Sequence, residues 1–254
     1  ASNEESRKEI IKELKAQGEI RIKTFIHSIA FGTLKNMIGD KEKSLDKKNI
    51  EMTLDAMCNN IIYWSQDLYY NQLLHKGSHI IAMTSAGGRK NWNSYGAVSL
   101  AKAGIESVCR QLSLELAPYG IAVNAIQAGV TDTAALRKIP GSDNMIEQAI
   151  TNNPHKRLTQ PEDIGDIIAL FSDYESSWMT GNIIKVDGGE QLNWPFLQCT
   201  AAGCAISNKL DGELLSALKR GQELLVAYRA WGAEKNTLIR IPLQGFTKAF
   251  NSIQ

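Results

Sequence analysis

The sequence lacks the marks of a membrane protein, a metalloprotein or a polyanion binder. No apolar run approaches the ~20 residues of a membrane-spanning helix. The first residues, Ala-Ser-Asn-Glu-Glu-Ser-Arg-Lys, hold no apolar stretch of the secretion-signal kind. A soluble chain with no membrane contact is therefore expected. Lys and Arg number 28 against 27 Asp and Glu, and the net charge of +1 leaves no footprint for nucleic acid. The four histidines, His27, His75, His79 and His155, show no ligand spacing with the four cysteines, so no metal site is expected. Also missing is any Gly-x-x-x-Gly-x-Gly or Gly-x-Gly-x-x-Gly, the turn that lets a helix N-terminus approach a pyrophosphate.

What is present is an ordinary globular composition, 254 residues with 43% hydrophobic, enough for one large α/β domain or two small ones. Cys58 and Cys109 stand alone in helix-like segments, where a free cysteine acts as a small buried hydrophobe. Cys199 and Cys204 are separated by Thr-Ala-Ala-Gly, a loop that a disulfide could close, although two thiols at that spacing can equally stay reduced.

Apolar periodicity predicts strands alternating with helices. Ser2-Asn3-Glu4-Glu5 reads as a capping box opening a helix from about Glu4 to Gln17, with Ile10, Ile11 and Leu14 on one side and Gly18 as its stop. A strand over Ile20 to Ile29 empties into Ala30-Phe31-Gly32, and residues 33 to 48 read as a surface connection. A long helix from Ile50 to Leu74 presents Leu54, Met57, Ile61, Trp64 and Leu68. Strands follow over 79 to 84, over Ile121 to Ile126 and over Asn182 to Val186. The second of these is apolar apart from Asn124, as in a parallel strand buried on both faces. Between them run the helix carrying Tyr95 and Lys102, which Pro118 and Gly120 end, and a helix begun by Gln160-Pro161-Glu162-Asp163 that packs Ile164, Ile167, Ile168 and Leu170. Residues 134 to 155 are polar and mixed and read as a mobile lid. Such alternation means βαβ units and a doubly wound parallel sheet, with ligands at the carboxyl ends of the strands, where the small-residue loops fall.

The chemistry concentrates in residues 83 to 102. A strand ends in a small-residue turn with Ser85, a helix opens around Ser94 and Tyr95, and Lys102 follows seven residues after Tyr95. That spacing is almost two turns, so the two side chains share a helix face about 10 Å apart along the axis. Helical side chains lean towards the N-terminus, so the ammonium can reach back, favour phenolate and make the phenol a better proton donor. An isolated pair at this spacing is ordinarily a helix-start aromatic and a solvated charge; the surrounding motifs argue otherwise.

Those motifs are His27-Ser28-Ile29-Ala30 after a strand, six residues between Tyr95 and Lys102, and Ile121-Ala-Val-Asn-Ala-Ile126 leading into Gly129-Val-Thr-Asp-Thr133. Pro161-Glu-Asp and Thr180-Gly-Asn-Ile-Ile-Lys-Val-Asp-Gly-Gly189 complete the series. In that order they resemble the latter two thirds of a short-chain dehydrogenase/reductase, and more closely an enoyl-acyl-carrier-protein reductase. Ordinary members of the superfamily place the lysine four after the tyrosine, where this chain has Ser99; the wider gap points to the enoyl reductases. The resemblance implies a partial doubly wound, Rossmann-like α/β sheet over residues 1–192 and a cytoplasmic homo-oligomeric enzyme of fatty-acid synthesis. That enzyme would use NADPH or NADH on an acyl-carrier-protein or coenzyme A thioester. Tyr95 would hydrogen-bond the thioester carbonyl and stabilise the enolate, a donor placed where charge develops. Lys102 would hold the nicotinamide ribose, Ser28 and Ile29 would touch the nicotinamide, Thr131 would face its carboxamide through the backbone, and Thr133 would reach a phosphate.

Ser85 stands where many members have a second tyrosine; it is either a second donor or a turn serine, and Thr131 and Thr133 could be plain turn residues. Met57 takes the place of the superfamily's active-site asparagine, and Asn59 faces elsewhere on the helix. The first strands of the family pattern are expected to be missing, leaving a raw sheet edge that something must cover. The chain is then a fragment, a form completed by another segment, or one that no longer binds a dinucleotide. Residues 193–254 carry +3, seven Lys and Arg against four Asp and Glu. They read as a small α+β segment with a helix over Asp211 to Lys219, strands over Glu223 to Arg229 and Thr237 to Leu243, and a helix near Phe246 to Ile253. Cys-x4-Cys, Leu214-Leu215-Ser-Ala-Leu218-Lys-Arg-Gly221 and Leu243-Gln-Gly-Phe246-Thr-Lys-Ala-Phe250 resemble the invasion-associated locus B family. The two halves do not read as one natural protein, so a fusion is as consistent as a two-domain chain. Beside the enoyl reductase stand a keto-group reductase of the same superfamily and a non-catalytic binding module.

Overall fold

The computed structural model describes residues 3–190, 199–200, 203–204, 223–228 and 237–244. The chain divides into two compact units, Ala1–Gln191 and Leu192–Gln254.

The larger unit is a parallel sheet of four strands in chain order, β1 (Thr24–His27), β2 (His79–Ser85), β3 (Ala122–Ala128) and β4 (Ile183–Val186), flanked by helices in a Rossmann-like arrangement. Register pairs His27 with Ala82 and Ser85 with Ala128, so the carboxyl ends of the first three strands lie side by side. β2 and β3 are almost wholly buried, and their apolar runs, Ile80-Ile81-Ala82 and Ala122-Val123, follow from that. β1 is an edge strand and shorter than the expected Ile20 to Ile29. Ile22 donates to the Leu73 carbonyl and accepts from Ser78 Oγ, and pairing with β2 begins at Thr24.

Helix α1 (Glu4–Ala16) is capped by Asn3, whose side chain accepts from the Ser6 amide, and it buries Ile11 while leaving Ile10 exposed. The expected single helix over 50 to 74 is a compound one. α2 (Lys47–Leu54) opens on a capping box at Asp46, a π-helical segment covers Asp55–Asn59, and α3 (Asn60–Tyr70) completes it. Met57, Ile61 and Leu68 are buried as their spacing predicts. The helix ends early because Gln72 takes a positive φ of 59° and turns the chain into the sheet. Helix α4 (Gly96–Leu116) buries Ala97, Ala101, Ile105 and Cys109, one residue per turn, and packs on β3 and the π segment. It approaches closely enough that a Cβ on Gly104 would meet Cys58 Sγ at 2.5 Å.

Residues 134 to 155, expected as a mobile lid, hold a short 3-10 turn (Leu136–Lys138) and helix α5 (Ser142–Asn152); its single fully buried apolar residue, Ala149, left too little periodicity to read. Helix α6 (Pro161–Asp173) begins at Gln160 with proline in its first turn. Leu170, expected in the packing, is 66% exposed, because α6 meets the sheet through its other side, where Ser172 bonds Thr24.

In the smaller unit the backbone forms two antiparallel pairs. β5 (Cys199–Thr200) faces β6 (Gly203–Cys204) with Cys199 directly opposite Cys204, and β7 (Glu223–Tyr228) pairs with β8 (Thr237–Pro242). The helices expected over 211–219 and 246–253 lie outside the described residues. Among the described residues no helix is long and apolar enough to cross a membrane.

Candidate active site at the strand tips

The carboxyl end of β2 delivers Ser85 into a short 3-10 turn (Ala86–Gly88), and that turn leads to Tyr95 at the N-cap of α4. The turn is fixed to the helix by Glu106. That carboxylate is 5% exposed, accepts from Thr84 Oγ1 at 3.2 Å and pairs with Arg89 at 3.0 Å. The Tyr95 ring lies on the Gly87 backbone so closely that a Cβ there would collide with Cε1, and the Trp92 ring packs edge-on at 5.9 Å. Gly87 is thus required by approach rather than by backbone angle.

Ser85 and Tyr95 come together through their hydroxyls, while Ser85 Oγ also accepts from the Gly87 amide at 3.2 Å. Burial pushes the Tyr95 phenol up, and the bond to Ser85 pulls it back down. The expectation that Lys102 would lower this phenol is not met. Lys102 is 7% exposed, and its Nζ donates to the Met83 carbonyl at 2.8 Å, two residues before Ser85. Burial lowers the ammonium to about 8. The lysine does lean towards the N-terminus of α4, as helical geometry requires, but the strand-end carbonyl is the partner it finds.

The other sequence-predicted residues border the same strand ends. Ser28 and Ile29 follow β1 directly, exposed and half-buried respectively. Thr131, half-buried beyond β3, donates to the Gly129 carbonyl at 3.1 Å. The exposed Thr133 uses its hydroxyl to accept from the Leu136 amide at 3.1 Å. Gly129 is crowded against Thr159 and Asp187, which draws the loops after β3 and β4 together. Glu190 reaches across from β4 to the Val130 amide at 3.3 Å, and burial raises its carboxyl. Lys90 sits over the Trp92 ring at 5.7 Å, its ammonium lowered by burial and raised by Glu190.

Two buried residues lie behind this site: His27, the first residue of the His27–Ala30 motif, and Asn60, which no motif marks. His27 at the tip of β1 is 2% exposed, and Asn60 at the start of α3 is 0% exposed. Nothing in the sequence marks the π segment that turns Asn60, rather than Asn59, inwards.

Residues 1–191 match the model of the family described as enoyl-(acyl carrier protein) reductase. Residues 163–254 match that of the invasion associated locus B (IalB) protein. The enoyl-acyl-carrier-protein reductase (NADH) FabI of Buchnera aphidicola is 29% identical over 165 residues, covering 65% of this chain and 63% of that protein. Its Escherichia coli counterpart is 26% identical over 165 residues, covering 65% and 62%. The chain therefore spans less than two thirds of the length of these relatives. The crystal structure of enoyl-acyl-carrier-protein reductase (NADH) from Aquifex aeolicus superposes with a TM-score of 0.66 at 26% identity, covering 76% of this chain and 74% of that one. The sheet order, the Tyr95–Lys102 helix and a family match running from residue 1 to residue 191 agree: the chain belongs to the enoyl-acyl-carrier-protein reductase family.

Proposed function

We propose that the chain reduces the double bond of an enoyl thioester carried on acyl-carrier protein or coenzyme A, with NADH as the reductant, NADH being the nucleotide in the names of the relatives. The observation that supports this reading most is the paired hydroxyls of Ser85 and Tyr95 at the tip of β2, with a buried ammonium one carbonyl away.

The residues present fit the nicotinamide-ribose end of such a cofactor. Lys102 has donors beyond the one committed to Met83, Ser28 and Ile29 lie open past β1, and the loop Gly129 to Thr133 borders the next strand tip. They do not supply a glycine-rich pyrophosphate turn, which the sequence lacks. When bound, the nucleotide supplies a hydride to the substrate β-carbon. Tyr95 donates a hydrogen bond to the thioester oxygen as negative charge develops there, an effect typically worth about a few kcal/mol in the barrier, and the enolate so held takes a proton from water at its α-carbon. Ser85 orients that phenol and eases its ionisation. Lys102 holds the ribose hydroxyls, and the apolar ring of Trp92 walls the phenol from water on one side.

A cytoplasmic homo-oligomer fits this chemistry. Cys58 and Cys109 are free thiols, as in a reducing compartment, and α4 leaves Leu100 and Leu114 exposed on its outer side, 48% and 70%. A phenol held by a serine hydroxyl also suits a keto group, which keeps carbonyl reduction as the second reading. Parallel assays with crotonyl and acetoacetyl thioesters decide between them: the first reading expects NADH oxidation with crotonyl thioester at the higher kcat/KM, and a preference for acetoacetyl thioester overturns it.

A further inference from the structure

Among the described residues six buried side-chain atoms have no hydrogen-bond partner, and four of them belong to His27 and Asn60. Both ring nitrogens of His27 and both amide atoms of Asn60 are in this state. The two side chains face each other near enough for Asn60 to favour the charged ring as a hydrogen-bonding neighbour, yet no direct hydrogen bond of good geometry joins them. Burying a polar group without a partner opposes folding, so an apolar pair of the same shape would leave no such groups to satisfy. Polar groups kept at that cost mark functional places in a fold.

Local backbone geometry points the same way. The Asn60 amide bonds the Asp55 carbonyl five residues back, closing the π segment. The extra residue brings Met57, Asn60 and Ile61 together into the interior, each at most 1% exposed. Such single-turn π segments inside α-helices are frequent at functional sites. On the opposite side, His27 pairs in register with Ala82, one residue before the Met83 carbonyl that holds Lys102 Nζ. Burial, and after it the charge of the Lys102 ammonium, keeps the ring neutral by lowering it to about 4. A neutral imidazole offers one acceptor and one donor, Asn60 offers both kinds, and Lys102 has donors left over. Three polar partners are what an internal water molecule requires.

We propose that His27 and Asn60 are positioning residues for Lys102, the ring accepting an N–H bond of its ammonium through an internal water molecule held between the pair. This rests on the reading of Lys102 as the ribose-holding group. Of the titrating groups on the elements packed here, His27 from β1 feels the Lys102 charge, Tyr95 at the start of α4 bonds Ser85, and Glu106 further along α4 is paired with Arg89 from the turn after β2. Only His27 lacks a partner of its own among them.

The test is the double variant His27→Phe, Asn60→Leu in the full chain, with NMR titration of the Lys102 ε-carbon in protein labelled with 13C-lysine, assigned against Lys102→Arg. The pair supports the charged ammonium, so the variant is expected to titrate lower by roughly half a pH unit or more. The kcat/KM for crotonyl thioester is expected to fall on the order of tenfold. His27→Gln, which keeps an acceptor, is expected to restore the wild-type titration. Asn60→Leu alone serves where the double variant does not fold, with a smaller shift of the same sign. An unmoved Lys102 titration in the folded variant overturns the proposal. A moved titration in a chain whose wild type reduces no thioester leaves the pair standing and removes the reductase reading instead.

Discussion

Ser85 and Tyr95, ten residues apart in sequence, share a hydroxyl–hydroxyl contact that works against the burial of the phenol. Each is placed by a different element, the serine by the end of β2 and the tyrosine by the first turn of α4. Gly87 lets them meet, since its bare Cα is the floor on which the tyrosine ring rests.

Ser85→Ala removes the one influence that lowers the Tyr95 phenol and leaves burial unopposed. The phenol is expected to ionise at higher pH than in the wild type, read by ultraviolet difference titration against Tyr95→Phe. Proton donation to substrate should weaken with it, lowering kcat by about 10-fold. An unchanged titration would show that the serine serves only the turn.

Gly87→Ala places a methyl group where the Tyr95 ring lies. Overpacking of this kind costs about 1–3 kcal/mol, and the phenol must move to relieve it. Activity is expected to drop further than the melting temperature suggests, and dinucleotide affinity, measured by quenching of tryptophan fluorescence, is expected to hold.

Lys102 gives a pH signature of the fold itself. Burial brings the ammonium to about 8 from an ordinary 10.5, so between those values the unfolded chain keeps a proton that the folded chain has lost. Stability contributed by this group is therefore lowest below pH 8 and rises with pH across that window. Compared with Lys102→Met, wild-type unfolding free energy should gain up to about 3 kcal/mol between the two ends, at 1.36 kcal/mol per unit. Denaturant melts of both proteins at several pH values check it; parallel pH curves contradict it.

Much of this architecture was legible in the sequence, and the illegible parts have physical reasons. Apolar runs marked β2 and β3, and the stripe Met57, Ile61, Leu68 marked the helix facing them, because burial alone decides those residues. The π segment was not legible, since one extra residue shifts the stripe by less than the width of the apolar face. Helix α5 was hidden because it buries so little apolar surface. Helical spacing predicts Tyr95 and Lys102 on one face. It could not foresee that the Met83 carbonyl, brought by a strand, would take the ammonium that the phenol was expected to have. The serine's contact with the phenol likewise depends on where the turn after β2 folds back.

Helix α1 is tied to α3 by Arg7, whose Nε donates to Asp67 at 2.7 Å and whose guanidinium lies over the Tyr63 ring at 5.0 Å. Asp67→Ala removes this carboxylate from a guanidinium with 9% exposure. Because Asp67 itself is partly in solvent, the loss is expected at about 1–3 kcal/mol rather than the larger cost of a fully buried pair. Urea denaturation read by circular dichroism measures it, and a change below about 0.5 kcal/mol would mean the helix is held by its apolar side alone.

The most direct test of the proposed chemistry is Tyr95→Phe, assayed for NADH-dependent reduction of crotonyl thioester beside NADH binding by fluorescence quenching. The expected result is a kcat reduced at least about 100-fold with NADH affinity within about twofold of the wild type, because the missing hydroxyl acts only as charge develops on the substrate. A phenylalanine variant that turns over at the wild-type rate would contradict the assignment of Tyr95.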